Sequence, residues 1–179
     1  MIYNKMIEGR YVDLISCTEE DAEFTCDIRK DPEFVKYLPK IDNTVDEQRI
    51  WIRNQRKKEG DYFFVVWNKR KERIGTISIY DINGERAEGG RLAIKSNNPF
   101  HALEAQILSF EFGFGVLGLK CIVGFIYDDN ERGLRFNKMF GGKFCSQITG
   151  RDGRNMIVSE IWDVDFYSAE NKIKKIIYR

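Results

Sequence analysis

Residues 87–144 read AEGGRLAIKSNNPF (87–100), HALEAQILSFEFGFGVLGL (101–119), KCIVGFIYD (120–128) and DNERGLRFNKMFGGKF (129–144). The order is strand, turn, helix, strand, helix. Asn98 and Pro99 make an N-cap with proline at the first helical position, so a helix is expected to open there. Ile122–Tyr127 is nearly all apolar, the pattern of a central strand covered by helices on either side. Asn130 offers a second cap. The run thus gathers a carboxylate, Glu88, two helix N-termini and a cluster of cations around one place. A helix N-terminus presents unpaired backbone N–H groups and the positive end of its dipole, which makes it a natural seat for phosphate.

Outward from this run, Tyr11–Ser16 alternates as a half-buried strand, and Thr18 with Asp21 forms a relative of the capping box that opens a helix to about Arg29. Asp31 and Pro32 signal a second helix start, with Phe34, Val35 and Leu38 on its apolar face. Thr44 and Glu47 make a fuller capping box for a helix to about Lys58, carrying Ile50 and Trp51. Strands are expected at Tyr62–Asn68 and Ile74–Tyr80, joined by the charged turn Lys69–Arg73. Further on, Phe144–Thr149 and Met156–Asp163 are expected to pair through RDGRN, where Asp152 and Gly153 supply hairpin-turn chemistry. A tail helix capped by Ser168, with Ile173, Ile176 and Ile177 on one side, ends the chain. No repeat, low-complexity run or linker interrupts this order.

A chain of 179 residues suits one domain over 1–179 that buries roughly 70% of its unfolded surface. Its 29 Lys and Arg against 28 Asp and Glu are interspersed and leave a net charge of +1. That balance argues against nucleic-acid binding and against a polybasic membrane anchor. The opening MIYNKMIEGR has no apolar leader core, and no later stretch reaches the roughly eighteen apolar residues of a membrane span, so a cytoplasmic protein is expected. Cys17, Cys26, Cys121 and Cys145 show no paired spacing, and His101 is the one histidine. They read as reduced packing residues, with no metal site and no disulfide framework.

The run 87–144 resembles the acyl-CoA-binding core of the GNAT superfamily of N-acetyltransferases. The opening EGRYVDLISCTEEDAEFTCDIRKDPEFVKYL (8–38) is similar to the strand and helix "G-R-x-V-x-L-x-x-x-T-x-E-D" of the branch that acetylates ribosomal-protein N-termini. The resemblance implies a mixed α/β fold, a central mostly antiparallel sheet flanked by helices on both faces. It also implies acetyl-CoA as co-substrate, no metal, and direct attack by a primary amine in a ternary complex, in a monomer or homodimer. The amine is a protein N-terminus or a small molecule, and the helices of the N-terminal half would shape its pocket. An amino-sugar nucleotide is the competing acceptor, and a GNAT-fold binding module without catalysis is the competing class.

Acetyl transfer needs a neutral nucleophile. An N-terminal amine with pKa near 7.8 is roughly 14% neutral at pH 7 and a lysine near 10.4 only about 0.04%, so deprotonation costs about 1 against about 4.6 kcal/mol. One carboxylate or ordered water covers the smaller figure. Glu88, in the setting Ala87-Glu88-Gly89-Gly90, stands where similar enzymes carry a glutamate in an "A-E-x-G" context. The plain alternative is an exposed strand-end glutamate. Glu85 and Asp81 are weaker substitutes.

The resemblance seats the donor on Ile94, on Asn97 and Asn98, and on Phe100, His101 and Ala102 of the first helical turn. Here the sequence departs from the family. The usual Arg/Gln-x-x-Gly-x-Gly/Ala phosphate loop has become Asn97-Asn98-Pro99-Phe100, without glycine and with the N–H of Pro99 lost. The N–H groups of Phe100 to Leu103 remain to meet a pyrophosphate. Asn130 is expected to cap its helix and touch the pantetheine arm, and Arg132 with Arg135 and Lys138 to attract phosphate, unless they are merely a solvated face. Asn137 stands where many relatives carry a tyrosine that protonates the leaving thiolate, so it is read as the catalytic partner of Glu88 with an altered role.

Overall fold

The computed structural model of the chain describes residues 2–38 and 41–178. In order, its elements are β1 (Ile7–Glu8), β2 (Val12–Ser16), α1 (Ala22–Lys30, entered through a 3-10 turn at Glu19–Asp21), α2 (Pro32–Val35) and α3 (Val45–Gln55). Next come β3 (Tyr62–Asn68), β4 (Arg73–Asn83), β5 (Arg86–Ile94), α4 (Pro99–Glu111, continued by a π turn at Phe112–Val116) and β6 (Cys121–Tyr127). The chain closes with α5 (Glu131–Met139), β7 (Lys143–Thr149), β8 (Asn155–Trp162) and α6 (Asp163–Ile177). Eight strands form one sheet in the order β1-β2-β3-β4-β5-β6-β8-β7. The described pairings are antiparallel except for β5 with β6. This is the mixed α/β, mostly antiparallel architecture that the sequence predicts.

The chain divides into two compact units, Met1–Asp81 with Arg91–Ser109, and Ile82–Gly90 with Phe110–Arg179. In the first, Cys17, Ala22, Ile52, Phe63 and Val65 form a buried cluster against which Phe24, Val45, Trp51 and Trp67 pack. Trp51 meets Phe63 edge-on at 5.6 Å. The capping predictions hold because they are local. Thr44 and Glu47 cap α3, and Asp31 accepts the Glu33 N–H at 2.9 Å ahead of Pro32. The Asp21 carboxylate accepts the Thr18 N–H at 2.7 Å and the Arg73 Nε–H at 2.7 Å.

Two expectations about α3 fail. It ends at Gln55 instead of Lys58, and its buried face is Gln48, Ile52 and Gln55 while Ile50 is exposed. The glutamines bury because each finds partners. The Gln48 amide donates to Thr25 Oγ1 at 3.1 Å, and Gln55 donates to the Asp61 carbonyl at 2.8 Å. Of the two apolar residues named for α3, Trp51 packs against the buried cluster and Ile50 faces out.

In the second unit, Phe110, Phe114, Phe140 and Phe166 stack with centroid separations of 5.3 to 5.8 Å. Here α6 starts at Asp163, with Trp162 as N-cap, so Ser168 lies inside the helix and caps nothing. Asp163 and Asp165 in the first turn complement the dipole, and the buried stripe is Phe166, Ile173 and Ile177 with Ile176 left exposed. The strand expected over Ile122–Tyr127 is covered only in part. Cys121, Ile122 and Tyr127 are buried but Phe125 is exposed, and the β5 ladder beside β6 runs only from Arg86 to Glu88, opposite Cys121 to Val123. The four cysteines are free thiols, but Cys145 sits exposed on β7 instead of packing.

One buried charge orders the first unit. Glu104 of α4 is fully buried, and its carboxylate accepts the backbone N–H groups of Arg10 at 2.9 Å, Tyr11 at 2.6 Å and Val12 at 2.7 Å. These are donors that β2 cannot satisfy at its own start. A Cβ on Gly9 would stand 2.6 Å from Glu104 Oε2 and 2.6 Å from the Val12 carbonyl oxygen, so only glycine lets the two backbones close on the carboxylate.

Glu104→Gln replaces an acceptor oxygen by a donor facing three N–H groups. The expected loss is about 2–4 kcal/mol, a melting-temperature fall of roughly 5–15 °C. Thermal denaturation followed by circular dichroism checks this against Glu23→Gln on the exposed face of α1, which should change the midpoint by less than about 2 °C.

Candidate active site

The glycine-free turn of the first unit is built as a cap. The Asn98 Oδ1 accepts the Phe100 N–H at 3.0 Å and the Asn98 carbonyl accepts the His101 N–H at 3.2 Å, so α4 opens at Pro99 as the sequence predicts. Ser96 Oγ accepts the Asn98 N–H at 3.1 Å and lies 2.7 Å from His101 Nδ1. Burial holds the His101 imidazole below its ordinary pKa, against a smaller upward pull from Glu104. It is therefore neutral at pH 7 and offers a hydrogen bond, not a charge. Asn97 is exposed, while Ile94 and Ala102 are half-buried. Two of the N–H groups expected to cradle phosphate, those of Phe100 and His101, are thus already committed to Asn98.

Beside this cap lies a cavity of about 720 Å³. Arg10 and Tyr11 from the start of β2, Asn68 to Arg70 with Glu72 from the β3–β4 turn, and Lys95 to Asn98 with His101 line it. Lys95 is held by an ion pair to Asp31 and Lys69 by one to Asp13 at 2.6 Å.

Arg91, in the same unit, has φ +51°, a left-handed conformation that costs a non-glycine residue about 1–3 kcal/mol. Its guanidinium holds the buried Asp61 carboxylate in a two-pronged pair at 2.6 and 3.0 Å and lies 4.1 Å from the Tyr80 ring centroid. Thr76 Oγ1 donates to the Arg91 carbonyl at 2.7 Å. Burial, and next the Arg91 charge, lower the pKa of Arg29. The sequence reading missed this buried cluster.

In the second unit, Glu88 is half-buried on β5, opposite Val123 of β6. Its neighbour Gly89 faces the other way, since a Cβ there would meet Ile122 at 2.8 Å and Phe110 at 3.9 Å. Ile122 and Gly124 share that second face by strand alternation, and a Cβ on Gly124 would lie 3.4 Å from Asn137 Nδ2. Glu88 and Asn137 therefore stand on opposite faces of the β5–β6 pair. Of the substitute bases, Asp81 in the first unit is tied to Lys58 at 2.7 Å, and the exposed Glu85 uses its carbonyl to accept the Lys120 N–H at 2.8 Å.

Asn137 is firmly placed. Its Oδ1 accepts from Ser159 Oγ at 2.5 Å, its carbonyl accepts the Phe140 and Gly142 N–H groups at 3.1 Å, and a Cβ on Gly142 would overlap its side chain. Ser159 was not anticipated, because its 22-residue separation from Asn137 leaves no local signal. Asn130 caps α5 as expected, accepting the Gly133 N–H at 2.9 Å. The cations on α5 are partly engaged with their own neighbours. Arg135 pairs with Glu131 at 3.1 Å and Lys138 covers the Phe144 ring at 4.8 Å, while Arg132 is exposed.

Among the described residues, no group of three or more His, Cys, Asp or Glu side chains is placed to hold a metal ion, and no helix is long and apolar enough to cross a membrane.

Solved structures with the same fold include a nucleotide-linked sugar GNAT, FdhC in its apo form, at 24% identity and TM-score 0.80, covering 98% of both chains. A GCN5-related N-acetyltransferase from Brucella melitensis matches at 20% identity and TM-score 0.80, over 97% of this chain and 85% of that one. A spermidine N-acetyltransferase chimera from Vibrio cholerae matches at 14% identity and TM-score 0.77, over 88% and 98%. No curated protein matches the sequence. The family model described as "Acetyltransferase (GNAT) domain" matches residues 12–143. That span holds the β2 strand pinned by Glu104, the Asn98 cap, Glu88 and Asn137, and with it the chain belongs to the GNAT acetyltransferase family.

Proposed function

We propose that residues 1–179 act as one acetyl-CoA-dependent N-acetyltransferase domain, which passes the acetyl group directly to a primary amine in a ternary complex. The observation that carries this reading is the Asn98 cap of α4, which starts a helix beside a cation-lined cavity although every glycine of the usual loop is gone. The Phe100 and His101 N–H groups would exchange Asn98 for oxygens of the donor pyrophosphate, since Ala102 and Leu103 already belong to the hydrogen-bonded ladder of α4. Asn130 and the exposed Arg132 add a second, weaker seat along α5.

In the transfer step, the amine nitrogen attacks the thioester carbonyl carbon, the C–S bond breaks and sulfur leaves as thiolate. Glu88 takes the amine proton directly or through a water. The roles are assigned from the family resemblance, Glu88 to the amine and Asn137 to the sulfur, the two standing on opposite faces of the strand pair. A thiol with pKa of about 8.5 is a fair leaving group, so the thiolate can depart and take its proton from solvent without a tyrosine. The fixed Asn137 amide donates to the sulfur or to a pantetheine carbonyl. The preferred acceptor is a protein N-terminus, in line with the opening segment. A nucleotide-linked amino sugar is the second reading, favoured by the FdhC likeness.

Thiol release measured with peptides bearing N-terminal Ala or Ser, amino-sugar nucleotides and polyamines tests both assignments. Glu88→Gln should cut turnover on the accepted amine by on the order of 10²–10⁴ while Glu85→Gln changes it little; equal small effects from both remove Glu88 from the mechanism. Asn137→Ala should lower turnover about tenfold or less, with acetyl-CoA affinity nearly unchanged. A fall beyond about a hundredfold in a folded variant shows that Asn137 does more than donate one hydrogen bond.

A further inference from the structure

The ladders of the second unit sort its strands into two faces, because laterally paired residues share a face and successive residues alternate. One face carries Gly89, Ile122, Gly124, Ser159 and Ile161. It is closed by helices: Phe110 of α4 lies over Gly89, and Asn137 of α5 over Gly124 and Ser159. The opposite face starts at Glu88 and runs through three rows. Glu88 stands beside Val123 of β6, which pairs with Glu160 of β8 and, through it, with Lys143 of β7. The next row is Phe125, Val158 and Ser146, and the last is Tyr127, Met156 and Ile148.

Apolar side chains stay open to solvent on this second face. Phe125 is 37% exposed and Ile148 41%, and Val123, Met156 and Val158 are only half-buried. Its charges are already matched. Arg86, beside Cys121 at the foot of the rows, pairs with Glu160, which also accepts the Trp162 Nε1–H at 3.1 Å. Lys143 pairs with Asp165 at 2.6 Å, and Arg154 pairs with Asp152 at 3.0 Å while covering the Tyr127 ring at 3.5 Å. Arg151 lies beyond the last row, in the β7–β8 turn. A phosphate seated on the rows would find their cations held by carboxylates, and a polyamine would lay further ammonium groups on apolar surface at a desolvation cost.

The size of the face suits a chain better than a small molecule. Strands lie about 4.8 Å apart and two residues rise about 6.7 Å along each, so the diagonal from Glu88 to Ile148 is roughly 20 Å, the length of about six extended residues. We infer that this open face is the acceptor track: it seats an extended peptide whose N-terminal amine meets Glu88 and whose next residues are apolar and lie over Phe125, Val158 and Ile148. This rests on the acetyltransferase reading above, with Glu88 as base, and adds to it the class of sequence that is accepted. Each CH₂ that the peptide buries there is worth about fourfold in binding.

Thiol release with two peptides tests the inference, both beginning with Ala and continuing either Leu-Phe-Leu or Ser-Gln-Ser. Wild type is compared with Phe125→Ser, with Phe125→Ser/Ile148→Ser, and with Ile176→Ser, which alters an exposed apolar residue of α6. Circular dichroism verifies that each variant is folded, and sedimentation velocity gives its oligomeric state. Wild type should favour the apolar peptide by about tenfold or more in kcat/KM, a ratio that needs no variant to be read. Ile176→Ser should keep that ratio, Phe125→Ser should lower it, and the double variant should bring it within about twofold of unity. Equal use of the two peptides by wild type, or a ratio that survives in both Phe125 variants, overturns the inference and leaves the acetyltransferase reading standing. So does a higher kcat/KM on an amino-sugar nucleotide or a polyamine than on either peptide. A wild-type dimer that the double variant dissociates also overturns it, since a second copy of the chain then covers the face. No thiol release with any of these amines overturns both readings.

Discussion

A single carboxylate, that of Glu104, holds the first unit in working order. Buried without any solvent contact, it accepts three backbone N–H groups, those of Arg10, Tyr11 and Val12. A charge so placed is tolerable only while all of its hydrogen bonds are made. It therefore fixes α4 against the entry of β2 with little freedom for either. Through Arg10 and Tyr11 it also sets one wall of the cation-lined cavity, and through α4 it sets the direction in which the Asn98 cap points. The Gly9-Arg10 pair of the opening segment acquires a physical reason from this: glycine for the close approach, and the next three N–H groups for the carboxylate.

The same economy recurs elsewhere in the chain. Strain at Arg91 is held in place by the buried Asp61 pair and by three aromatic rings, those of Trp51, Phe63 and Tyr80. Asn137 is fixed by Ser159 and by a glycine, Gly142, where any side chain would collide with it. Positions named for chemistry are thus held by hydrogen-bonded neighbours that carry no chemistry themselves. A site assembled from polar residues on strands and helix ends needs such support, because its own side chains are too few to hold their geometry against thermal motion.

The sequence disclosed what depends on near neighbours. The caps at Asn98-Pro99, Asp31-Pro32 and Thr44/Glu47 are contacts over two or three residues, and each is found where its motif stands. The succession of most strands along the chain could be read in the same way from alternation and turns, though not their order in the sheet. The tail went wrong because two local signals competed: Ser168 looks like a cap, but Asp163, Asp165 and the buried Phe166 already start the helix five residues earlier. What could not be read were pairings across long separations. Glu104 with Arg10 to Val12, Asp61 with Arg91, and Asn137 with Ser159 leave no periodicity behind them. Glu104, an acid set among Ala105, Ile107 and Leu108 of α4, was the one available hint of the first. Of the residues named from resemblance, the capping asparagines have their partners in place, while the α5 cations turn out to be partly engaged along their own helix.

Native mass spectrometry of the protein equilibrated with acetyl-CoA, before and after an accepted amine is added, tests the central claim most directly. The account predicts a one-to-one complex with the intact donor, no acetyl group on the protein at any time, and conversion of the bound donor to CoA only when the amine is present. A protein that carries no donor after equilibration, or one that acquires a covalent acetyl group as an intermediate, contradicts direct transfer in this fold.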